Sequence, residues 1–195
     1  MSSRLCKPSL AILALLAVLV LGACADSHTK VTTGTYAGES GKNAPYLNVG
    51  PLVYEVQLSR ELNPANIEDA AYLKGLTPAE SHLAPGQEWF AVFLQVYNHT
   101  SAPLPAARSL TVTDTQYNSY SPVLPDATNE FVYRGGLVPA KGELPLPESV
   151  ASSGATGGAV LLYKIQVVSL DNRPLELKIV DPNDASQTAS AELDV

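Results

Sequence analysis

Glu88-Trp89-Phe90-Ala91-Val92-Phe93-Leu94-Gln95-Val96-Tyr97 decides the fold. With the period of two of an extended chain, Phe90, Val92, Leu94 and Val96 fall on one face, and Trp89, Ala91, Phe93, Gln95 and Tyr97 on the other. Branched and aromatic residues suit a pleated surface, and two apolar faces require cover on both sides. The run predicts a central strand that stops at the turn-forming Asn98-His99-Thr100.

Upstream, Leu52-Val53-Tyr54-Glu55-Val56-Gln57-Leu58 places Leu52, Tyr54, Val56 and Leu58 on one face and Glu55 and Gln57 on the other, a half-buried strand. Downstream, Leu110 and Val112 alternate with Ser109, Thr111 and Thr113, and Phe131 and Tyr133 mark a further short run. Ala159 to Val168 and Leu175 to Val180 flank Asp171-Asn172-Arg173-Pro174 and read as a hairpin with a longer loop. Between the first two strands the punctuation turns helical. Asn63 suits a cap and Pro64 the first helical position, acids Glu68 and Asp69 follow, and Lys74 and Gly75 close a helix over about 64–74. Thr77-Pro78-Ala79-Glu80 is a capping box. Short strands without β-α-β alternation predict an all-β, antiparallel, immunoglobulin-like β-sandwich over 46–181, with a helical insertion at about 62–85. Asp181-Pro182-Asn183-Asp184 opens a polar tail, 182–195, expected to be loosely held.

The run Trp89 to Thr100, then Leu110-Thr111-Val112-Thr113-Asp114, Tyr117 to Tyr120, and the glycines Gly154, Gly157 and Gly158 before Val160-Leu161-Leu162-Tyr163-Lys164-Ile165 resemble the immunoglobulin-like DUF4352 and telokin-like domains of bacterial lipoproteins. The resemblance spans about residues 50–181 and implies a fold and an address, with no catalytic residues to carry over.

The address has its own signal. Arg4 and Lys7 precede the apolar run Leu10 to Leu21 and the small residues Gly22 and Ala23, the order of a signal peptide over 1–23. About 12 apolar residues are too few to span a bilayer as a permanent helix, which takes roughly 20. Leu21-Gly22-Ala23-Cys24 resembles the lipobox of bacterial lipoproteins, which implies cleavage before Cys24, a diacylglycerol on its thiol and an acyl chain such as palmitate on its amine. One chain anchors only marginally, at about 0.8 kcal/mol per buried methylene, so two or three on Cys24 would hold the protein firmly to a membrane. From Cys24 to Pro45 the chain is rich in Ser, Thr, Gly and Lys and reads as a flexible tether of roughly 25 Å reach. The plasma membrane and, in a two-membrane cell, the outer membrane are both open as destinations.

The remaining composition narrows the chemistry. Cys6 and Met1 fall within the signal, so the exported part holds no disulfide, no second thiol and no soft-metal ligand pair. Loss of the two cations Arg4 and Lys7, from a segment without acids, takes the formal charge from −7 to −9 and argues against a nucleic-acid partner. His28, His82 and His99 lack metal-ligand spacing. No serine sits in a Gly-x-Ser-x-Gly elbow, and the glycine-rich Ser152 to Gly158 precedes a strand, as an inter-strand loop does. Asp181, Asn183 and Asp184 with Asp171 and Asn172 form the one oxygen-rich candidate for calcium, short of a complete loop motif. Trp89, Tyr97, Tyr117, Tyr120 and Tyr133 are expected to pack in the core, a contact surface being the other use. The chain therefore reads as a membrane-anchored extracytoplasmic binding or adaptor module for an envelope protein partner, not an enzyme and without cofactor. The alternative is a carrier of a small ligand or ion.

Overall fold

The computed structural model describes residues 46–193. The signal segment, Cys24 and the tether all lie outside the described residues. Along the chain, β1 (Tyr46–Val49) and β2 (Leu52–Leu62) lead into an insertion carrying α1 (Ile67–Tyr72) and α2 (Pro78–Ser81). Then come β3 (Gln87–Asn98), β4 (Leu104–Ala106), β5 (Ser109–Thr113), β6 (Ser119–Tyr120), β7 (Gly136–Val138) and β8 (Glu143–Leu144). The last third holds α3 (Val150–Ser153), β9 (Ala159–Gln166), α4 (Val167–Asp171), β10 (Leu175–Val180) and β11 (Thr188–Leu193).

One sheet runs β1-β2-β3, with β9 and β8 along successive parts of the free edge of β3; the other runs β11-β10-β5-β6. Every ladder is antiparallel, and a two-stranded ribbon of β4 and β7 stands beside them. The domain is an antiparallel β-sandwich of the immunoglobulin-like class.

β3 has the expected cover on both faces. Phe90, Val92, Leu94 and Val96 meet Tyr54, Tyr163, Leu110, Leu177 and Ile179 in the core between the sheets. Trp89, Ala91 and Phe93 join Leu62, Tyr72, Val160 and Leu162 in a second core, which the insertion closes from outside. The insertion is held there by named contacts. Tyr72 meets Phe93 and Phe131 edge to face, at 5.0 and 5.1 Å between centroids. Asp69, buried at the start of α1, accepts Arg60 Nη2 at 2.5 Å and the Asn63 amide at 2.8 Å. Burial opposes the charged carboxyl, yet the Arg60 guanidinium and that amide hold its pKa below the ordinary carboxylate value. Asn129 Nδ2 donates to the Tyr72 and Lys74 carbonyls at 2.7 and 2.8 Å and so satisfies the end of α1.

Several expectations change in detail. α1 is capped by Asn66, whose Oδ1 accepts the Glu68 amide at 2.8 Å, while Asn63 accepts from Ala65 in the turn before it. The Thr77–Glu80 capping box forms as expected, with reciprocal bonds of 2.9 and 3.2 Å. Leu58 does not share the face of Val56. A bulge between Val56 and Leu58 sets Leu58 opposite Phe93, so β2 serves the inter-sheet core first and the outer core afterwards. Phe131 to Tyr133 makes a single bridge, Val132 to Val160, in place of a strand.

β9 and β10 are not a hairpin. Val167–Asp171 coils into α4 and carries the chain across to the opposite sheet, so the two strands pair with β3 and β5. The 182–195 segment is not a loose tail up to Leu193. β11 pairs with β10 along Leu175–Val180, and Ala189, Ala191 and Leu193 are buried. Its side chains are small enough to sit beside Leu177 and Ile179, which is why the composition looked polar. Ser152 to Gly158 is likewise more ordered than a plain loop: α3 occupies its start, and Gly158 lies against the Leu94 backbone.

Candidate functional site

The residues singled out in sequence do not converge. Cys24 and His28 lie outside the described residues. His82 and His99 are exposed and far apart in the fold, the His99 ring lying parallel to that of Tyr97 with centroids 6.3 Å apart. Among the described residues no group of three or more His, Cys, Asp or Glu side chains could hold a metal. Asp171 and Asp181 stand at opposite ends of the six-residue β10, about 20 Å apart at roughly 3.3 Å per residue, so the imagined calcium cluster does not assemble. Asp181 Oδ1 instead accepts the Asn183 and Asp184 amides at 2.7 and 3.0 Å, closing a turn.

The aromatics divide. Trp89 and Tyr133 are buried, Tyr97 and Tyr120 half-buried, and Tyr117 is exposed at a turn with φ +65°. Tyr97 donates to buried Glu55 at 2.8 Å and to Gln95 on the outer face of the first sheet. Burial and the neighbouring Glu55 carboxylate push its phenol well above the ordinary value. Tyr120, Ser169 and Asp114 form a hydrogen-bonded chain with both links at 2.6 Å. Asp114 also accepts two amides and the Asn118 side chain. Burial opposes its charge, but these donors hold its pKa below the usual carboxylate value. A carboxylate so stabilised is a poor base, and Ser169 is fully buried, so this chain pins α4 to the β5–β6 turn.

A more functional geometry surrounds Arg108, between β4 and β5. The preceding residue is clamped on both sides: the Ala107 amide donates to Tyr54 Oη at 2.7 Å, and Tyr133 Oη donates to the Ala107 carbonyl at 2.8 Å. Burial raises both phenols, Tyr54 to about 12, so they stay neutral and act as fixed partners. The stem of Arg108 lies over Gly135, where an added Cβ would stand 3.0 Å from Arg108 Cγ and where φ is +65°. The positive φ favours glycine there, and a side chain would press on the Arg108 stem. The head of Arg108 has no hydrogen bond or ion pair among the described residues.

Arg108 stands between two clefts. One, of about 480 Å³, includes Pro105, Leu137 and Asp181. The other, of about 410 Å³, has Leu110, Tyr133 and Leu161 at its base and Pro122, Leu124, Arg108 and Arg134 around them. Arg134 is fixed by donating to the Pro125 carbonyl at 3.0 Å and to the Asp126 and Asn129 carbonyls. Leu124 and Leu137 are 56% and 66% exposed, high values for leucines. A third, larger hollow on the outer face of the second sheet is lined by threonines with Glu176, Lys178 and Glu192, a solvated surface of mixed charge. Sequence reasoning missed Arg108 because Pro105-Ala106-Ala107-Arg108 carries no motif; the exposure of its leucine neighbours shows only in three dimensions.

No protein-family model matches the chain, and no curated protein matches it in sequence. The fold is similar to the yjhA protein of Bacillus subtilis, at 12% identity over 77% of this chain and 97% of that one, with a TM-score of 0.49. A candidate lipoprotein of the same organism, ycdA, matches at 10% identity over 78% of this chain and 39% of its own, with a TM-score of 0.47. An uncharacterised β-sandwich protein of Clostridium difficile matches at 8% identity over 85% and 95% of the two chains, with a TM-score of 0.45. None of them brings a residue role to this chain. Among the described residues no helix is long and apolar enough to cross a membrane.

Proposed function

We propose that this chain is a lipid-anchored binding module of the bacterial cell envelope, held to its membrane through Cys24 and engaging a partner through Arg108 and the adjoining clefts. The observation that carries this reading is the Arg108 guanidinium, unpaired among the described residues and presented between exposed Leu124 and Leu137 from a backbone that the Tyr54–Ala107–Tyr133 clamp fixes. Arginine is enriched at binding hot spots, and a backbone already fixed before association loses little entropy of its own when a partner docks. The Leu21-Gly22-Ala23-Cys24 sequence supports the anchor.

Two measurements test the two halves. Mass spectrometry of the membrane fraction should find the mature N-terminus at Cys24 with two or three acyl chains; an unmodified Cys24, or cleavage elsewhere, overturns the anchor. A photo-crosslinking residue at Leu137 in the full chain, expressed in its own cells, should give a discrete adduct that Arg108→Glu abolishes. The same probe at exposed Val168, at the other end of the sandwich, is the control. No adduct above that control overturns the surface.

A further inference from the structure

We infer that the cleft between Arg108 and Arg134 binds an apolar group ending in a carboxylate, the chemistry shared by a leucine-like C-terminal residue of a peptide and a short fatty acid. This deepens the reading of the Arg108 face as a binding surface and rests on it.

The first argument is charge. The chain is acidic, with 19 Asp and Glu against 12 Lys and Arg, yet this cleft is lined by two arginines and no acid. Asp126, outside the lining but within electrostatic reach of Arg134, accepts the Thr128 amide and hydroxyl at 2.8 and 2.6 Å. Asp126 keeps its charge and offsets part of that of Arg134, which leaves Arg108 as the cation of this cleft that faces an anion without a partner.

The second is the division of labour between the arginines. Arg134 spends donors on three backbone carbonyls and contributes chiefly charge. Arg108 keeps its planar fork free, and a fork of parallel N–H donors matches the two oxygens of one carboxylate. The fork alone would serve a phosphate as well; the apolar side chains beside it favour an anion that carries an apolar body.

The third is the base. Leu110, Tyr133 and Leu161 are buried side chains, the Tyr133 hydroxyl is already committed to the Ala107 carbonyl, and Leu124 overhangs. They close the base, exposed Leu124 and half-buried Pro122 supply the apolar surface against which an apolar body can lie, and 410 Å³ falls within the roughly 300–1,000 Å³ of small-ligand clefts. An apolar lining also lowers the local dielectric and strengthens the ion pair at the rim.

The test uses the full chain in phosphatidylcholine nanodiscs, with methyl NMR on the leucines and four probes: N-acetyl-leucine, hexanoate, N-acetyl-leucinamide and inorganic phosphate. A carboxylate should shift the Leu110, Leu124 and Leu161 methyls saturably. The amide should bind about tenfold more weakly or worse, as should the carboxylate to Arg108→Gln, with Arg108→Lys between. N-acetyl-leucine ahead of hexanoate assigns a peptide C-terminus; the reverse order assigns a fatty acid. Failure of both carboxylates to saturate, equal binding of the amide, phosphate binding in their place, or an unaffected Arg108→Gln variant overturns the inference. If the Leu137 crosslink persists in that event, only the ligand class is wrong; if both are absent, the surface itself is wrong.

Discussion

Phe93→Ala should destabilise the domain by about 3–5 kcal/mol and loosen the 62–85 insertion first. Phe93 points away from the space between the sheets, and on a half-solvated sheet such a truncation would cost little. Here it is 1% exposed, sits edge to face against Tyr72 and has the Arg60 guanidinium 5.9 Å from its ring centre. Removing the ring leaves a cavity bordered by Tyr72, Leu162 and Leu58, which cannot collapse without moving α1, β9 or β2. Phe90→Ala, on the other face of the same strand, should cost a similar amount. Hydrogen exchange separates the two: Phe93→Ala accelerates exchange in α1 ahead of global unfolding, and Phe90→Ala does not. A loss under about 1 kcal/mol for Phe93→Ala in denaturant titration would mean that the outer cluster is not a core.

Gly158→Ala should cost on the order of 3 kcal/mol or more, a large effect for a single methyl group. Gly158 adopts φ +102°, and a Cβ built there lies 3.1 to 3.3 Å from the Leu94 backbone O, N and C atoms. A side-chain neighbour could rotate aside. Leu94 cannot, because its backbone belongs to the central strand, where it faces Ala159 in the β3–β9 ladder. Gly136 supplies the comparison, having the same φ of +102° with nothing within 4 Å of an added Cβ. Gly136→Ala should therefore show the conformational cost alone, about 1–3 kcal/mol. Equal losses at the two sites, in thermal or denaturant melts, would show that the close approach to Leu94 carries no weight.

What was legible in sequence follows from which signals are local. The two-faced run Trp89 to Tyr97 needs no partner to be read, because apolar residues at every position already demand two covers. The Thr77–Glu80 box is equally local, as its two hydrogen bonds join residues three apart. Non-local choices were hidden. Whether β9 turns back on itself or crosses to the other sheet depends on α4 spanning the gap, and Val167-Val168-Ser169-Leu170-Asp171 has weak helical character. The strand Thr188–Leu193 hid behind its small side chains, which are core residues only because Leu177 and Ile179 lie opposite. For the candidate site the gap is wider. Tyr54, Tyr133 and Arg108 come from separate parts of the chain, and nothing in their spacing announces that two phenols grip the peptide before the arginine.

The bulge at Gln57 has a consequence for how the two cores depend on each other. In a strand, one extra residue is half a period, so it inverts the phase of all that follows. Up to Val56, β2 keeps time with the inter-sheet core; from Leu58 onward it keeps time with the insertion, through Leu58 and Leu62. The length of β2 is therefore no neutral spacer. A change of one residue between Leu52 and Val56 would turn Leu52 or Tyr54 out of the inter-sheet core, whereas the same change between Leu58 and Leu62 would turn Leu62 away from Trp89 and unhook the insertion from the strand that carries it.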